Sequence, residues 1–308
     1  MQSDNGNQDQ WAIILAGGEG RRLSSLTQRI ASDGRPKQFC PVLGDSSLIE
    51  QTRSRVSLSV AHDQVLAVVT RAHERYYRPL LGDIRQRNLV IQPDNRGTAA
   101  AILYSLLRLS KLAPNAYVAL FPSDHFVSDD RYFMRHVDLA FAAVRLRPEL
   151  TVLLGIAADR GETGYGWIEA GQAVGAELAS IFEVRQLWEK PSAELAKGLL
   201  DRGCLWNSFV MVARLSTLLG LIMAAVPELY LPFARVSSSL FTSSEERSIG
   251  RLYASIEDTD FSRDVLVRRP VKLAVLPVHG VEWSDLGEPH CVLDVLSRHK
   301  IQLRWNAA

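Results

Sequence analysis

The chain has 308 residues, of which 47% are hydrophobic and 22% charged, so it can bury a core as one large α/β domain or two smaller ones. Its formal net charge is +1, so bulk electrostatics favour neither nucleic acid nor an anionic membrane as the partner. Any phosphate binding must therefore come from a local site. The three cysteines, Cys40, Cys204 and Cys291, form no CxxC pair, which excludes a sequence-readable zinc site or disulfide framework and suits a reducing cytosol.

The polar start of the chain and its apolar segments bear on location. Residues 1–10, MQSDNGNQDQ, lack the basic-then-apolar pattern of a signal peptide, and we predict that they are disordered. The longest strongly apolar stretch, residues 218–226, is too short to span a bilayer and predicts a buried helix. We therefore expect a cytoplasmic protein with no membrane partner.

The first half of the chain alternates predicted strands and helices. The predicted strands are residues 11–16, 65–70, 88–92 and 117–121, and the predicted helices are residues 46–60 and 97–112. Strands that alternate with helices at this spacing imply βαβ units, so we predict an α/β fold with a Rossmann-like, mostly parallel mixed sheet flanked by helices. Ligands of such sheets bind at the carboxyl ends of the strands.

The pattern changes near residue 151. Residues 151–156, 164–170 and 182–190 are extended runs broken by Gly, Asp and Pro, and they predict a second sheet region or a smaller β extension. Helices are predicted over 191–200 and 215–226, and a strand over 272–276. Residues 236–264 carry no clear pattern. Residues 288–308 predict a helical tail, with one helix over 291–305 that packs on the domain or on a second subunit, as in a homodimer.

Three glycines and two arginines follow the first predicted strand: Gly17, Gly18, Gly20, Arg21 and Arg22. Glycines let the backbone approach a phosphate with its N–H groups, and arginines supply paired donors to the phosphate oxygens. The alternative is a tight turn with solvated arginines. A dinucleotide fingerprint would need glycine at Leu23, and the Gly-Lys-Ser/Thr of a Walker loop is missing. The segment is therefore a phosphate loop of another type, or only a turn.

Residues 15–23, LAGGEGRRL, resemble the LAGGxGxRL signature of sugar-1-phosphate nucleotidylyltransferases, and residues 36–39 resemble the PKQF that follows it. This resemblance implies that Arg22 and Lys37 act on the nucleotide phosphates, although Lys37 judged alone would be a surface lysine. It also implies nucleotide binding by the residues of the loop, namely Leu15, Ala16, Gly17, Gly18, Gly20 and Arg21.

Two further segments resemble blocks of the same family. Residues 92–99, QPDNRGTA, are similar to the QPxNRGTAP block of mannose-1-phosphate guanylyltransferases. That similarity implies nucleotide contacts from Gln92, Asn95, Gly97 and Thr98, where the residues alone would predict a loop and a helix cap. Residues 121–125, FPSDH, resemble the PSDH element at a strand end. This resemblance implies that Asp124 is a metal ligand, whereas the residues alone favour the cap of a turn.

Four later segments extend the resemblance to residue 287. Residues 162–166 are similar to the PETGYGYIE sugar-binding segment, with Gly161 in place of the proline, and residues 189–191 match EKP. Residues 205–208 resemble WNSG, with Phe209 in place of the glycine, and residues 283–287 resemble WSDVG. The similarity implies that Lys190 contacts the sugar phosphate and that Asp285 is the second metal ligand. The implied sugar-binding residues are Gly166, Glu189 and Asn207.

The resemblance implies a fold of the nucleotide-diphospho-sugar transferase type over residues 11–287. The nucleotide half would cover about residues 11–150, and a smaller sugar-binding β extension would lie within about 151–287. The implied reaction transfers a nucleotidyl group from an NTP, with GTP favoured, to a sugar-1-phosphate, with mannose-1-phosphate favoured, and releases pyrophosphate. Its catalytic set would be Arg22, Lys37, Asp124, Lys190 and Asp285, with Mg²⁺ held by Asp124 and Asp285. His125 would position or pack rather than act as a base, because a sugar phosphate is already deprotonated near pH 7.

Two alternatives stay open. One is the same reaction with another base or sugar, such as glucose-1-phosphate, and the other is a catalytically silent regulatory homologue that binds nucleotide sugar. The chain also departs from the family pattern. Residues 24–25 are Ser-Ser where a proline is usual, residues 27–35 form an unusual loop, and residues 257–266, EDTDFSRDVL, replace the DYAVMEK-like block.

Overall fold

The computed structural model describes residues 9–268 and 273–301. The strands in these residues are β1 Gln10–Leu15, β2 Val65–Thr70, β3 Leu89–Gln92, β4 Tyr117–Pro122, β5 Phe126–Val127, β6 Thr151–Ala157, β7 Gly166–Ala173, β8 Phe182–Glu189, β9 Leu205–Arg214, β10 Leu273–Val278 and β11 Trp283–Ser284. The main sheet has the order β3-β2-β1-β4-β9-β6-β10-β8-β7, and β5 and β11 form a second, two-stranded sheet.

The first half of the sheet is parallel. β3, β2, β1 and β4 are parallel neighbours, and β2, VLAVVT, is buried at every position. A continuous apolar run is typical of a parallel strand covered by helices on both faces. Beyond β4, the antiparallel β9 leads to the parallel pair β6 and β10 and then to the antiparallel β7 and β8. The predicted α/β class with a Rossmann-like mixed sheet is confirmed, and its second half extends the same sheet.

The helices lie on both faces of this sheet. They are α1 Ser24–Ala31, α2 Leu48–Val56, α3 Glu74–Tyr77, α4 Gly97–Leu112, α5 Asp130–Leu146, α6 Ala193–Asp201, α7 Leu215–Ala225, α8 Pro227–Val236, α9 Glu245–Ser255 and α10 Pro289–Arg298. Successive residues of a strand point to opposite faces, so Ile13 belongs to the core layer that includes α4 and α7 to α9, whereas Ile14 belongs to the layer that includes α2, α5 and α6. Among the described residues, every helix is too short or too polar to cross a bilayer.

Several predicted bounds are corrected by local contacts. The helix predicted over 46–60 covers Leu48–Val56, because Ser47 and Glu50 form a capping box at its start. Gln10 opens β1, so it is not part of a disordered terminus, and residues 1–8 lie outside the described residues. Lys272 of the strand predicted over 272–276 also lies outside them.

The unassigned region and the tail contain helices. Residues 236–264 include α9 and the start of a π-helical turn, Phe261–Leu266. The tail helix α10 ends at Arg298, short of the predicted 305, and residues 302–308 lie outside the described residues. Val292 and Leu296 of α10 pack on Leu23 and Leu286, so the tail packs on the glycine-loop side of the domain.

Candidate active site

A cleft of about 400 Å³ opens where the parallel strands β1, β3 and β4 end. Most of the predicted site residues line it, namely Leu15, Gly17, Gly18, Arg22, Gln92, Asn95, Gly97, Thr98, Asp124, Gly166, Glu189, Lys190, Asn207 and Asp285. A second hollow of about 360 Å³ shares Arg22, Asp124 and Asp285 with the cleft. Gly20, Arg21 and Lys37 line this hollow. The fold thus brings together residues that lie up to 270 positions apart in the chain, from Leu15 to Asp285.

The two predicted metal carboxylates lie on the same cleft because β5 pairs with β11. In this antiparallel pair, Phe126 lies opposite Ser284 and Val127 lies opposite Trp283. Asp124 precedes β5 and Asp285 directly follows β11, so the pairing places both carboxylates on the cleft and the hollow.

Lys37 is buried and bridges the two carboxylate segments. Its Nζ donates to the backbone oxygens of Asp285, at 2.6 Å, and Leu286, at 3.1 Å. It also pairs with Asp124 Oδ2 at 3.2 Å. Leu286 has a positive φ of 49°, a conformation that L residues adopt only under strain. Lys37 therefore stabilises the strained turn that presents Asp285, a role that the family motif did not suggest.

Two glycines of the loop, Gly17 and Gly20, lie in close contacts that leave little room for a side chain. A Cβ on Gly17 would lie 2.5 Å from Gln92 Nε2, and Gly20, at φ 64°, would meet the Lys37 backbone nitrogen at 3.0 Å. Gln38 Nε2 donates to the carbonyls of Ala16 and Gly18, at 3.0 and 2.6 Å. Packing of the PKQF segment against the loop therefore sets the loop's shape.

Three predicted nucleotide-binding residues of this loop, Ala16, Gly20 and Arg21, do not line the cleft. Ala16 is buried, its N–H donates to the Val68 carbonyl, and its own carbonyl accepts from Gln38. Both backbone polar groups of Ala16 are thus bonded within the protein, and its contact with the nucleotide stays a prediction. Arg21 is exposed at the rim of the hollow and forms an ion pair with Glu19.

The wall of the cleft beside Thr98 comes from a segment that no sequence motif identified. Thr259 O accepts from Ala99 N at 3.0 Å, and Phe261 N donates to Thr98 Oγ1 at 2.8 Å. Asp260 and Ser262 of the same segment line the cleft. The segment takes the place of the DYAVMEK-like block in the chain, and this place in the sequence was the one indication that it belongs to the site.

Gln92, at the end of β3, is held from the same side. It is almost fully buried, and its Oε1 accepts from the hydroxyl of Tyr253 in α9 at 3.1 Å. Tyr253 falls in the region that the sequence left unassigned, and no motif identified it.

The predicted sugar-binding residues lie side by side. A Cβ on Gly166 would lie 2.9 Å from Glu189 Oε2 and 3.2 Å from the Asn207 side chain, so only glycine fits between them. Burial raises the pKa of Glu189, and the charge of Lys190 partly opposes this shift. Lys190 itself has a positive φ of 50°, and its N–H donates to Tyr165 O at 3.2 Å.

Phe209 replaces the glycine of the WNSG element and keeps the backbone conformation that glycine would favour. Its φ is 62°, and its N–H donates to Asn207 Oδ1 at 3.0 Å. The ring packs edge-on against Phe261, with centroids 6.2 Å apart, and lines the cleft. The departure therefore preserves the turn beside Asn207 while adding an aromatic wall.

His125 lies directly after Asp124, and its side chain is 15% exposed. Its ring meets Trp283 edge-on with centroids 5.2 Å apart, and burial lowers its pKa to about 4. The ring is therefore neutral near pH 7, and it packs on Trp283 while lining both the cleft and the hollow.

The residues present fit a magnesium ion of the type that bridges phosphates. No group of three or more His, Cys, Asp or Glu side chains is arranged as a metal site within residues 9–268 and 273–301. Mg²⁺ in phosphate-transfer sites is commonly bound by one or two carboxylates, with substrate oxygens and water completing the shell. Asp124 and Asp285 on one cleft supply that number of carboxylates.

The chain is similar to a known protein family and to curated relatives over most of its length. Residues 11–299 match the family model described as Nucleotidyl transferase. The Xanthan biosynthesis protein XanB of Xanthomonas campestris pv. campestris is 30% identical over 305 residues, which cover 93% of this chain and 59% of that protein. Mannose-1-phosphate guanylyltransferase 2 of Escherichia coli O157:H7 is 26% identical over 301 residues, which cover 94% and 60%. The chain therefore spans about three fifths of the length of these curated relatives.

A solved structure agrees with these matches. The crystal structure of mannose-1-phosphate geranyltransferase from Thermus thermophilus is similar with a TM-score of 0.78 and 25% identity. The similarity covers 91% of this chain and 77% of that one. Because the family match extends over nearly the whole chain and the motifs of that family line one cleft, the protein belongs to the Nucleotidyl transferase family.

Proposed function

We propose that the protein transfers a nucleotidyl group from GTP to mannose-1-phosphate and releases pyrophosphate. The observation that carries this proposal is the convergence of Arg22, Asp124, Lys190 and Asp285, from four distant segments, on one cleft at the carboxyl ends of the strands. The names of the relatives support mannose-1-phosphate and a guanylyl group, and the name of XanB supports a place in polysaccharide biosynthesis. The product would be GDP-mannose, made in the cytoplasm.

The reaction needs no protein nucleophile. A phosphate oxygen of the sugar-1-phosphate attacks the α-phosphorus of the NTP, and pyrophosphate leaves. Both reactants are anions, so the protein must bring like charges together and neutralise the charge that develops. Mg²⁺ bound by Asp124 and Asp285 would supply positive charge between the two phosphates.

The positively charged side chains of the site lie where they can contact the two phosphate groups. The Arg22 side chain is half exposed and makes a 3.1 Å ion pair with Glu288, so most of its five donors stay available for pyrophosphate in the hollow. Lys37 lines the same hollow and would place a second positive charge beside that leaving group. Lys190 lies beside Glu189 and would orient the phosphate of the sugar while the carboxylate of Glu189 contacts its hydroxyls.

The retention of both carboxylates argues against a silent regulatory homologue. A protein that only binds nucleotide sugar would not need Asp124 and Asp285 together with Lys37 between their segments. The same chemistry with another base or sugar is the alternative that a substrate panel separates.

The decisive experiment measures Mg²⁺-dependent pyrophosphate release with four NTPs against several sugar-1-phosphates. We expect the highest kcat/KM for GTP with mannose-1-phosphate, and no turnover without a divalent cation. A higher value for another pair would correct the substrate assignment. Calorimetric binding of nucleotide sugar without any turnover would overturn the proposed activity.

A further inference from the structure

The buried contact between Tyr253 and Gln92 bears on the choice of base. We infer that Tyr253 is a positioning residue that makes the nucleotide site accept bases with an oxo edge and reject bases with an amino edge, by holding the Gln92 amide with its NH₂ group toward the cleft. This inference rests on the proposed function and takes Gln92, which lines the cleft, as a residue that contacts the base.

The buried hydroxyl of Tyr253 needs an acceptor for its proton, and Gln92 supplies it. Its side chain is 1% exposed and packs edge-on against Tyr104 and Phe233, with ring centroids 6.3 and 5.9 Å apart. Burial raises the pKa of Tyr253 well above its ordinary value, so the phenol keeps its proton. Within the described structure, the acceptor hydrogen-bonded to this hydroxyl is Gln92 Oε1, at 3.1 Å.

This contact fixes which end of the Gln92 amide faces the cleft. If the amide turned over, its NH₂ group would face the hydroxyl, and the buried phenol proton would lose its acceptor. An unsatisfied buried donor is unfavourable enough to suppress the turned form by about tenfold or more. The carbonyl therefore points to Tyr253, and the NH₂ group points the other way.

The surroundings of the NH₂ group agree with this orientation. Gln92 Nε2 lies 2.5 Å from the point that a Gly17 Cβ would occupy, at the base of the glycine loop. Thr70 Oγ1 lies 3.0 Å from the same point and donates its own proton to Gly17 O, so it offers only lone pairs to neighbours. Gly17 and Gln92 both line the cleft.

The NH₂ group of Gln92, when it faces the cleft, can distinguish bases that carry an oxo group from bases that carry an amino group at the same position. Guanine presents an acceptor, O6, where adenine presents the N6 amino donor, and thymine and cytosine differ in the same way. The Gln92 NH₂ group can bond to an oxo group, whereas it meets an amino group donor to donor. A site built to form such a bond discriminates strongly because the mismatched pair leaves a buried polar group without a partner.

The test compares kcat/KM for GTP, ITP and ATP with one sugar-1-phosphate. ITP keeps the oxo group and lacks the 2-amino group, so it isolates the edge that Gln92 would read. In Tyr253→Phe the amide is free to turn, and we expect the GTP/ATP and ITP/ATP ratios to fall about tenfold or more. Tyr104→Phe is the matched control. Tyr104 packs against Tyr253 in the same aromatic cluster, but its hydroxyl bonds to Glu245 and not to Gln92. It should leave both ratios within about twofold of the wild-type values.

A second variant tests the orientation itself. In Gln92→Glu, the carboxylate would still accept from Tyr253 and would turn an acceptor oxygen toward the cleft. We expect the preference to move toward ATP.

The possible results separate this inference from the proposed function. A wild-type protein that transfers no nucleotide would refute the proposed function. A wild-type protein that turns over ATP or CTP better than GTP and UTP would refute the inference while leaving nucleotidyl transfer intact. Folded, active Tyr253→Phe protein with unchanged base ratios would also refute it.

Discussion

Replacing Gly97 with alanine tests how the part of the cleft formed by Gly97 and Thr98 is held together. Gly97 has a φ of 81°, and a Cβ there would lie 2.3 Å from Thr259 O and 2.8 Å from Thr259 N and C. These are backbone atoms, so no rotamer change can relieve the contact. The segment around Thr259 must move, although it is bonded to Ala99 N and to Arg96 O on either side of the glycine.

The expected loss has two parts. The left-handed conformation costs an alanine about 1–2 kcal/mol. Moving Thr259 weakens two backbone hydrogen bonds, each worth about 1 kcal/mol. Together these effects predict that Gly97→Ala lowers the free energy of unfolding by about 3–4 kcal/mol. The displaced segment also carries Asp260 and Ser262, so the KM for the NTP should rise.

Urea unfolding measures the loss, and Gly203→Ala is its control. Gly203 has a φ of 71°, and a Cβ there would have no heavy atom within 4 Å. The control should therefore lose only the conformational part, about 1–2 kcal/mol. If the two variants lost equal stability, the close approach of Thr259 would not be needed and the reasoning would be refuted.

Three further predictions concern charges in the cleft. Asp285→Asn removes a negative charge but keeps an acceptor for Gly287 N, so the protein should stay folded while turnover falls about 10²–10³-fold. Pyrophosphate release measures the turnover and circular dichroism checks the fold. Near-native pyrophosphate release would remove Asp285 from the mechanism. The free energy of unfolding of Glu189→Gln should rise relative to that of the wild type as the pH rises above 4.5, because the raised pKa of Glu189 makes its ionised form unfavourable in the folded protein. A difference in unfolding free energy that did not change with pH would contradict this. Lys37→Met removes the donor that Lys37 Nζ supplies to the carbonyls of Asp285 and Leu286 and to the carboxylate of Asp124, so it should lower both Tm and turnover. An unchanged Tm would show that Lys37 does not stabilise the turn at Leu286.

The sequence by itself determined the class of fold and the reaction class that the motifs imply. Apolar runs such as residues 65–70 predict buried parallel strands because their preference is local, and β2 has those bounds. The glycine loop and PKQF were recognisable because a close backbone approach excludes other residues, as the contacts of Gly17 and Gly20 show. Local signals also located the ends of α4, at Gly97 and Leu112.

Tertiary structure alone decided which distant residues meet. The register of β5 against β11 brings Asp124 to Asp285, and the path of residues 257–266 places Thr259 against Gly97. The burial of Lys37 and Ala16 and the contact of Tyr253 with Gln92 likewise depend on packing between segments far apart in the chain. Periodicity and residue preference describe neighbours along the chain, whereas these contacts depend on sheet order and on the path of loops between strands. The sequence therefore indicated the chemistry, and the fold decided how that chemistry is held in place.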